Sequence, residues 1–157
     1  MKQPNFNPSM LIIAVDFDGT IVTHEYPRIG KEIPFAIETL RKLQDDFHLR
    51  LIMWTVREGK ELAEAVEYCR RRGLEFYAVN SNYPEETPDS REPRKLKADL
   101  FIDDRNLGGL PDWGIIYKMI AEGRHLSKEA LVEYSSSDHY PELQSKKKRG
   151  FFKSIFG

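Results

Sequence analysis

Three observations predict an α/β fold, a doubly wound parallel sheet. Short apolar runs recur at 11–15, 49–55, 74–80 and 98–104. Stretches of helical periodicity separate the first three. Two of the runs close on paired acids, Asp16 with Asp18 and Asp103 with Asp104. Continuous apolar runs of this length suit strands buried on both faces, and their alternation with helices implies right-handed βαβ units.

The elements follow in order. Residues 1–9 are polar with two prolines and read as a loose lead-in. Leu11–Val15 is the first strand. Over 33–47, Ile33, Ile37, Leu40, Leu43 and Phe47 recur at spacings of three and four, with Pro34 in the first turn, so a helix is expected there. The second strand is 49–55. A second helix, 59–72, sets Leu62, Ala65, Val66 and Cys69 on one face, and Gly73 stands where a C-terminal cap belongs. The third strand is 74–80. Residues 81–94 hold three prolines and many charges and read as a loop. The fourth strand, 98–104, precedes a helix from about Asp112 to Ala121, with Trp113, Ile116 and Ile120 as its apolar face. The domain expected to carry the chemistry is 10–125. Residues 126–145 read as an extension or linker and 146–157 as a basic amphipathic tail.

Composition is that of an ordinary soluble globule of 157 residues, 40% hydrophobic and 31% charged. A formal net charge of −1 gives no global field favouring nucleic acid. That balance conceals an asymmetry. No acid follows Glu142, while Lys146, Lys147, Lys148, Arg149 and Lys153 do; setting these five cations aside leaves the rest at −6. Cys69 is the only cysteine, so no internal disulfide forms and a reducing compartment is expected. The apolar run at the N-terminus is too short for a signal peptide, and no run is long enough to span a bilayer. The expected location is the cytoplasm, with a peripheral place at the inner membrane face open to the tail.

If the fourth strand pairs on the far side of the first, strand order reverses beside the first strand. Ligands in such sheets bind at that reversal, beyond the carboxyl ends of the strands. Asp16, Asp18, Asp103 and Asp104 would gather there, joined by Thr55. Clustered carboxylates repel unless a cation neutralises them, and oxygen ligands beside a phosphate point to Mg²⁺. In "DFDGT" (16–20) the two acids stand at i and i+2, at the lip of a strand, where one reactant can touch both. One can be a nucleophile and the other a proton donor and acceptor. Thr55 and the N–H groups of its loop suit phosphoryl oxygens. Lys95 or Lys97, just before the fourth strand, would supply a fixed positive charge.

Taken together, "DFDGT", Thr55, an upstream lysine and "DD" at 103–104 resemble the four motifs of the haloacid dehalogenase superfamily, in the same chain order. The chain is also similar to small bacterial members patterned "DFDGTIV…YP.IG", "WT.REG", "AVN" and "RK…IDDRN.GG". The resemblance implies that Asp16 is the phosphorylated nucleophile and Asp18 the general acid and base. It implies that Asp103, with Asp16 and the backbone carbonyl of Asp18, holds Mg²⁺, with Asp104 as a ligand or its neighbour. It gives Thr55 and the lysine, Lys95 by the family pattern and Lys97 by position, to the phosphoryl group. The second aspartate, Asp18, favours phosphotransfer over dehalogenation.

Members of that superfamily often carry a cap domain. Here the two insertion slots, 21–32 and 81–94, are too short to form one. The site is therefore expected to be open, either to a macromolecular phosphate or to a neighbouring subunit of a homo-oligomer that covers it. His24, Arg57 and Asn82 are the candidate substrate contacts on the short loops. Arg57 would grip a second anionic group; its competing reading is a salt bridge at the start of the second helix. His24 competes with an ordinary loop histidine, and Asn82 with turn chemistry.

In the tail, Phe151, Phe152, Ile155 and Phe156 share one face of a short helix beside basic residues. That pattern suits an anionic membrane surface, and it is similar to the C-terminal membrane-targeting helices of bacterial division-site ATPases. The expected activity is Mg²⁺-dependent hydrolysis of phosphate monoesters through an aspartyl-phosphate. The alternatives are a membrane-docked binding or regulatory module with a vestigial site, and a phosphotransferase.

Overall fold

A computed structural model describes residues 6–87 and 95–136. The basic tail, 146–157, lies outside them, as do 88–94 of the long loop. The architecture is α/β, with a four-stranded, all-parallel sheet. Strands β1 (Ile12–Val15), β2 (Arg50–Met53), β3 (Ala78–Val79) and β4 (Leu100–Ile102) stand in the order β3-β2-β1-β4. Helices α1 (Ala36–Phe47) and α2 (Gly59–Arg70) make the first two crossovers; α3 (Trp113–Ala121) and α4 (Lys128–Ser135) follow β4. Strand order reverses at β1, between β2 and β4, which meets the condition under which the acids were expected to gather.

The strands sort their side chains by alternation. Ile13, Val15, Leu51 and Met53 face one way, into a core that takes Ile37, Leu40 and Leu43 of α1, Ala65 and Cys69 of α2, and Trp113, Ile116 and Ile120 of α3. Burial pushes the Cys69 thiol up to about 12, as befits a packing residue rather than a nucleophile. On the other face Ala14, Ile52 and Ala78 meet Leu96, with Trp54, Ala98 and Phe101 around them. A right-handed connection from β3 to β4 must cross this second face. Among the described residues it is covered by the chain leading into β4, not by a helix.

One helix start differs from the sequence expectation, for a local reason. The first helix begins at Ala36 rather than Ile33. Ile33 instead donates its N–H to Ile21 O (2.8 Å), Glu32 bridges to Val22, and Phe35 takes a left-handed turn at φ 67°. These contacts hold 32–35 out of the helix. The second closes as expected. Leu74 N–H returns to Cys69 O and Gly73 N–H to Arg70 O, with Gly73 at φ 77°, a conformation that favours glycine. Helix α4 falls in the stretch read as an extension or linker. Ser127 caps it, its hydroxyl accepting the Ala130 N–H at 3.1 Å, and Ala130 and Tyr134 bury against Ile115 and Met119 of α3.

Candidate active site

The site forms where β1 and β4 end side by side. The ladder continues one step past the strands: Asp16 donates its N–H to Ile102 O at 3.0 Å. Asp16 and Asp103, which directly follow their strands, are thereby neighbours, although 87 positions separate them in the chain.

Asp16, Asp103 and Asp104 each offer a carboxylate oxygen, and these oxygens lie within 4.8 Å of one another. Thr20 joins two of the three. Its buried hydroxyl accepts the Asp104 N–H at 3.1 Å and donates to Asp16 Oδ2 at 3.4 Å. The Asp16 carboxyl is pushed up to about 7, by burial first and then by the charges of Asp103, Asp104 and Asp18, against the opposing Phe17 N–H. Asp104 Oδ1 is buried and meets no hydrogen-bond donor among the described residues. Gly19 makes room for this carboxylate: at φ 85°, a Cβ there would stand 2.3 Å from Asp104 Oδ2. Three converging acids, an unmet buried oxygen and a destabilised charge fit a hard divalent cation with oxygen ligands.

Asp18 is treated differently. Its carboxylate is 5% exposed and points at Arg57, which is fully buried. Arg57 Nε reaches Oδ2 at 2.6 Å and Nη2 reaches Oδ1 at 2.7 Å, a bidentate pair. The guanidinium also donates to Pro27 O (2.9 Å) and Arg28 O (2.8 Å) and lies between the rings of Phe17 and Tyr26, at 5.1 and 5.2 Å. The bond to Asp18 raises its pKa further above the ordinary arginine value. Arg57 was expected to grip a second anion on the substrate. It is instead spent inside the wall of the site, because an uncompensated buried carboxylate would be unfavourable. The Asp18 carboxylate is likewise absent from the group of three that converge for a cation.

A cleft of about 370 Å³ opens over these acids, lined by Asp16, Asp18, Thr55, Asp103, His24, Arg105 and the side chains of Tyr26, Trp54 and Val56. Thr55 sits just beyond β2. Asn80, at the end of β3 with φ 51°, accepts the Thr55 N–H on Oδ1 at 2.8 Å and so fixes that loop. The Thr55 hydroxyl accepts the Arg57 N–H at 3.2 Å. His24 meets Arg105 across the mouth, Nε2 to Nη2 at 3.0 Å.

The other expected residues stand apart from the cleft lining. Lys95 is exposed, its Nζ 5.3 Å from the centre of the Phe101 ring. Lys97 donates its N–H to Asn82 Oδ1 at 2.7 Å. Asn82 also donates its backbone and side-chain N–H groups to Glu86. Its place is a tie between the loop after β3 and the chain entering β4.

Four residues that shape this site escaped the sequence reading of its chemistry: Thr20, Tyr26, Asn80 and Arg105. Asn80 carried the best signal, as an asparagine ending a short apolar run, a place that suits left-handed backbone. Arg105 follows the paired acids directly, where a cation stands out among carboxylates. Thr20 and Tyr26 carry no comparable sign, because their roles depend on strands and loops distant in sequence.

No protein-family model matches the chain, and no curated protein matches it. A solved structure, that of a conserved protein coded by a locus from Bacteroides thetaiotaomicron, is similar to it at 65% identity and a TM-score of 0.69. The match covers 76% of this chain and 96% of that one.

Proposed function

We propose that this chain, which belongs to the same family as the conserved Bacteroides thetaiotaomicron protein, is a phosphate monoester hydrolase of the haloacid dehalogenase type that works with Mg²⁺. The observation that carries the reading is the meeting of Asp16, Asp103 and Asp104 oxygens within 4.8 Å at the strand-order reversal. Those three residues would hold the cation. When bound, it offsets the acids' charge and draws electron density from the phosphoryl group.

The chain's own residues account for the rest. An Asp16 carboxylate oxygen attacks phosphorus; the P–O ester bond breaks, and its electron pair leaves with the alcohol oxygen, which takes the proton of Asp18 in the acid form that this step requires, one hydrogen bond to Arg57 giving way to it. Water then attacks phosphorus and gives its proton to Asp18, and the bond to Asp16 breaks, releasing phosphate. Asp18 ends as it began. Arg57 is a positioning residue: its fork fixes the plane of the Asp18 carboxyl at the cleft wall. Thr55, tied by Asn80, is the phosphoryl contact. Tyr26, Trp54 and Val56 form an apolar side for the leaving group, and with no cap inserted in 21–32 this side stays open.

Incubation with a phosphoryl donor, rapid acid quench and peptide mapping test the reading. Phosphate is expected on the peptide holding Asp16 in the wild type and nowhere in Asp16→Asn. Among the described residues no helix is long and apolar enough to cross a membrane, and a cytoplasmic place remains part of the proposal.

A further inference from the structure

We infer that Arg105, held in place by His24, is the cation that grips the phosphoryl group in this cleft. The inference rests on the reading of the site as one for a phosphate ester. It begins with charge. The Asp18 carboxylate is already met by Arg57. Asp16, Asp103 and Asp104 remain, and a divalent cation offsets two of their three negative charges. A phosphate group arrives with about −1.5 to −2 of its own. A further positive group must face it.

Among the described residues that line the cleft, Arg105 alone carries a permanent positive charge. Arg57 stands behind Asp18, and the Lys95 ammonium lies over the Phe101 ring. Arg105 is anchored at both ends. Its backbone N–H donates to Asp103 Oδ1 at 2.8 Å, which ties its base to one of the three converging acids. Its Nη2 reaches His24 Nε2 at 3.0 Å, from the loop on the opposite side of the mouth. An arginine donates only, so His24 accepts on Nε2 and carries its proton on Nδ1. That contact uses one of five guanidinium donors. The remaining fork has the planar geometry that suits two phosphoryl oxygens. Because Arg105 lines the same cleft as Asp16 and Asp103, its guanidinium serves the end of the substrate that the acids face.

Arg105 is thus assigned a substrate contact and His24 a positioning role. Calorimetric titration with inorganic phosphate, in the presence of Mg²⁺, tests both. Arg105→Ala should weaken phosphate binding about ten- to a hundredfold. Arg105→Lys should recover part of the loss, since it keeps the charge without the fork. His24→Ala should weaken binding several-fold and His24→Gln, whose carbonyl can accept the same bond, should restore it; all four variants should melt with the wild type. Equal phosphate affinity in wild type and Arg105→Ala, or no phosphate binding by the wild type, overturns the assignment. A wild type that binds phosphate through Arg105 yet hydrolyses no ester defeats the hydrolase reading alone. Turnover that needs Asp16 while phosphate affinity ignores Arg105 defeats only the present inference.

Discussion

Asp16 and Asp18 stand two positions apart on one strand end, yet the fold treats their charges in opposite ways. Asp18 is met inside the protein, by a buried arginine that gives it two hydrogen bonds. Asp16 is left among like charges, beside an Asp104 oxygen with no donor among the described residues. A chain that can bury an arginine for one carboxylate could supply a cation to the other. Among the described residues no cation pairs with Asp16, Asp103 or Asp104, and the proposed function takes that as the mark of a site for an external cation. In the proposed reading the internal pair fixes geometry and the open trio binds a cation that arrives from solution.

Breaking the open half should have the largest effect. Asp16→Asn should lower turnover at least about a thousandfold, measured by phosphate release, because the substitution removes the proposed nucleophile. The same change should leave the fold intact. It should also stabilise the metal-free protein at neutral pH. An acid whose folded-state pKa is raised from 3.8 to about 7 loses stability as pH rises through that window, and the amide does not titrate.

Breaking the closed half should show in stability first. Arg57→Ala leaves the Asp18 carboxylate buried without its partner, at a loss of about 3–5 kcal/mol in chemical denaturation. A loss under about 1 kcal/mol would mean that the pair is dispensable and that the contrast with the trio is overdrawn. Gly19→Ala sharpens the comparison at smaller scale. The positive φ and the close approach to Asp104 together should cost about 1–3 kcal/mol. Because the carboxylate must shift to admit the methyl group, Mg²⁺ affinity should fall with it.

The sheet was legible because buried strands, helical periodicity and turn residues write themselves locally. Ile37, Leu40 and Leu43 announce α1 by spacing alone, and Gly73 marks the end of α2. The acids were legible as well, since each pair closes an apolar run. What the sequence hid was pairing across distance. Arg57 lies 39 positions from Asp18, and nothing nearby distinguishes an arginine turned inward from one offered to a substrate. Asn82 reads the same whether it faces a ligand or ties Lys97 to Glu86. Helix α4 was missed although Ser127 and the Ala130 and Tyr134 pair were present. Its eight residues show a weak apolar face, and the buried ones among them pack against α3.

Calorimetric titration with Mg²⁺, run at pH 6 and pH 8 on wild type, Asp103→Asn and Asp18→Asn, tests the contrast between trio and pair most directly. The wild type should bind one ion, more tightly at pH 8, with up to about a tenfold gain per pH unit below about 7, where the cation must displace a proton from Asp16. Asp103→Asn should abolish that binding, while Asp18→Asn should keep it and melt earlier. Equal loss in both variants, or a wild type indifferent to Mg²⁺, would contradict the account.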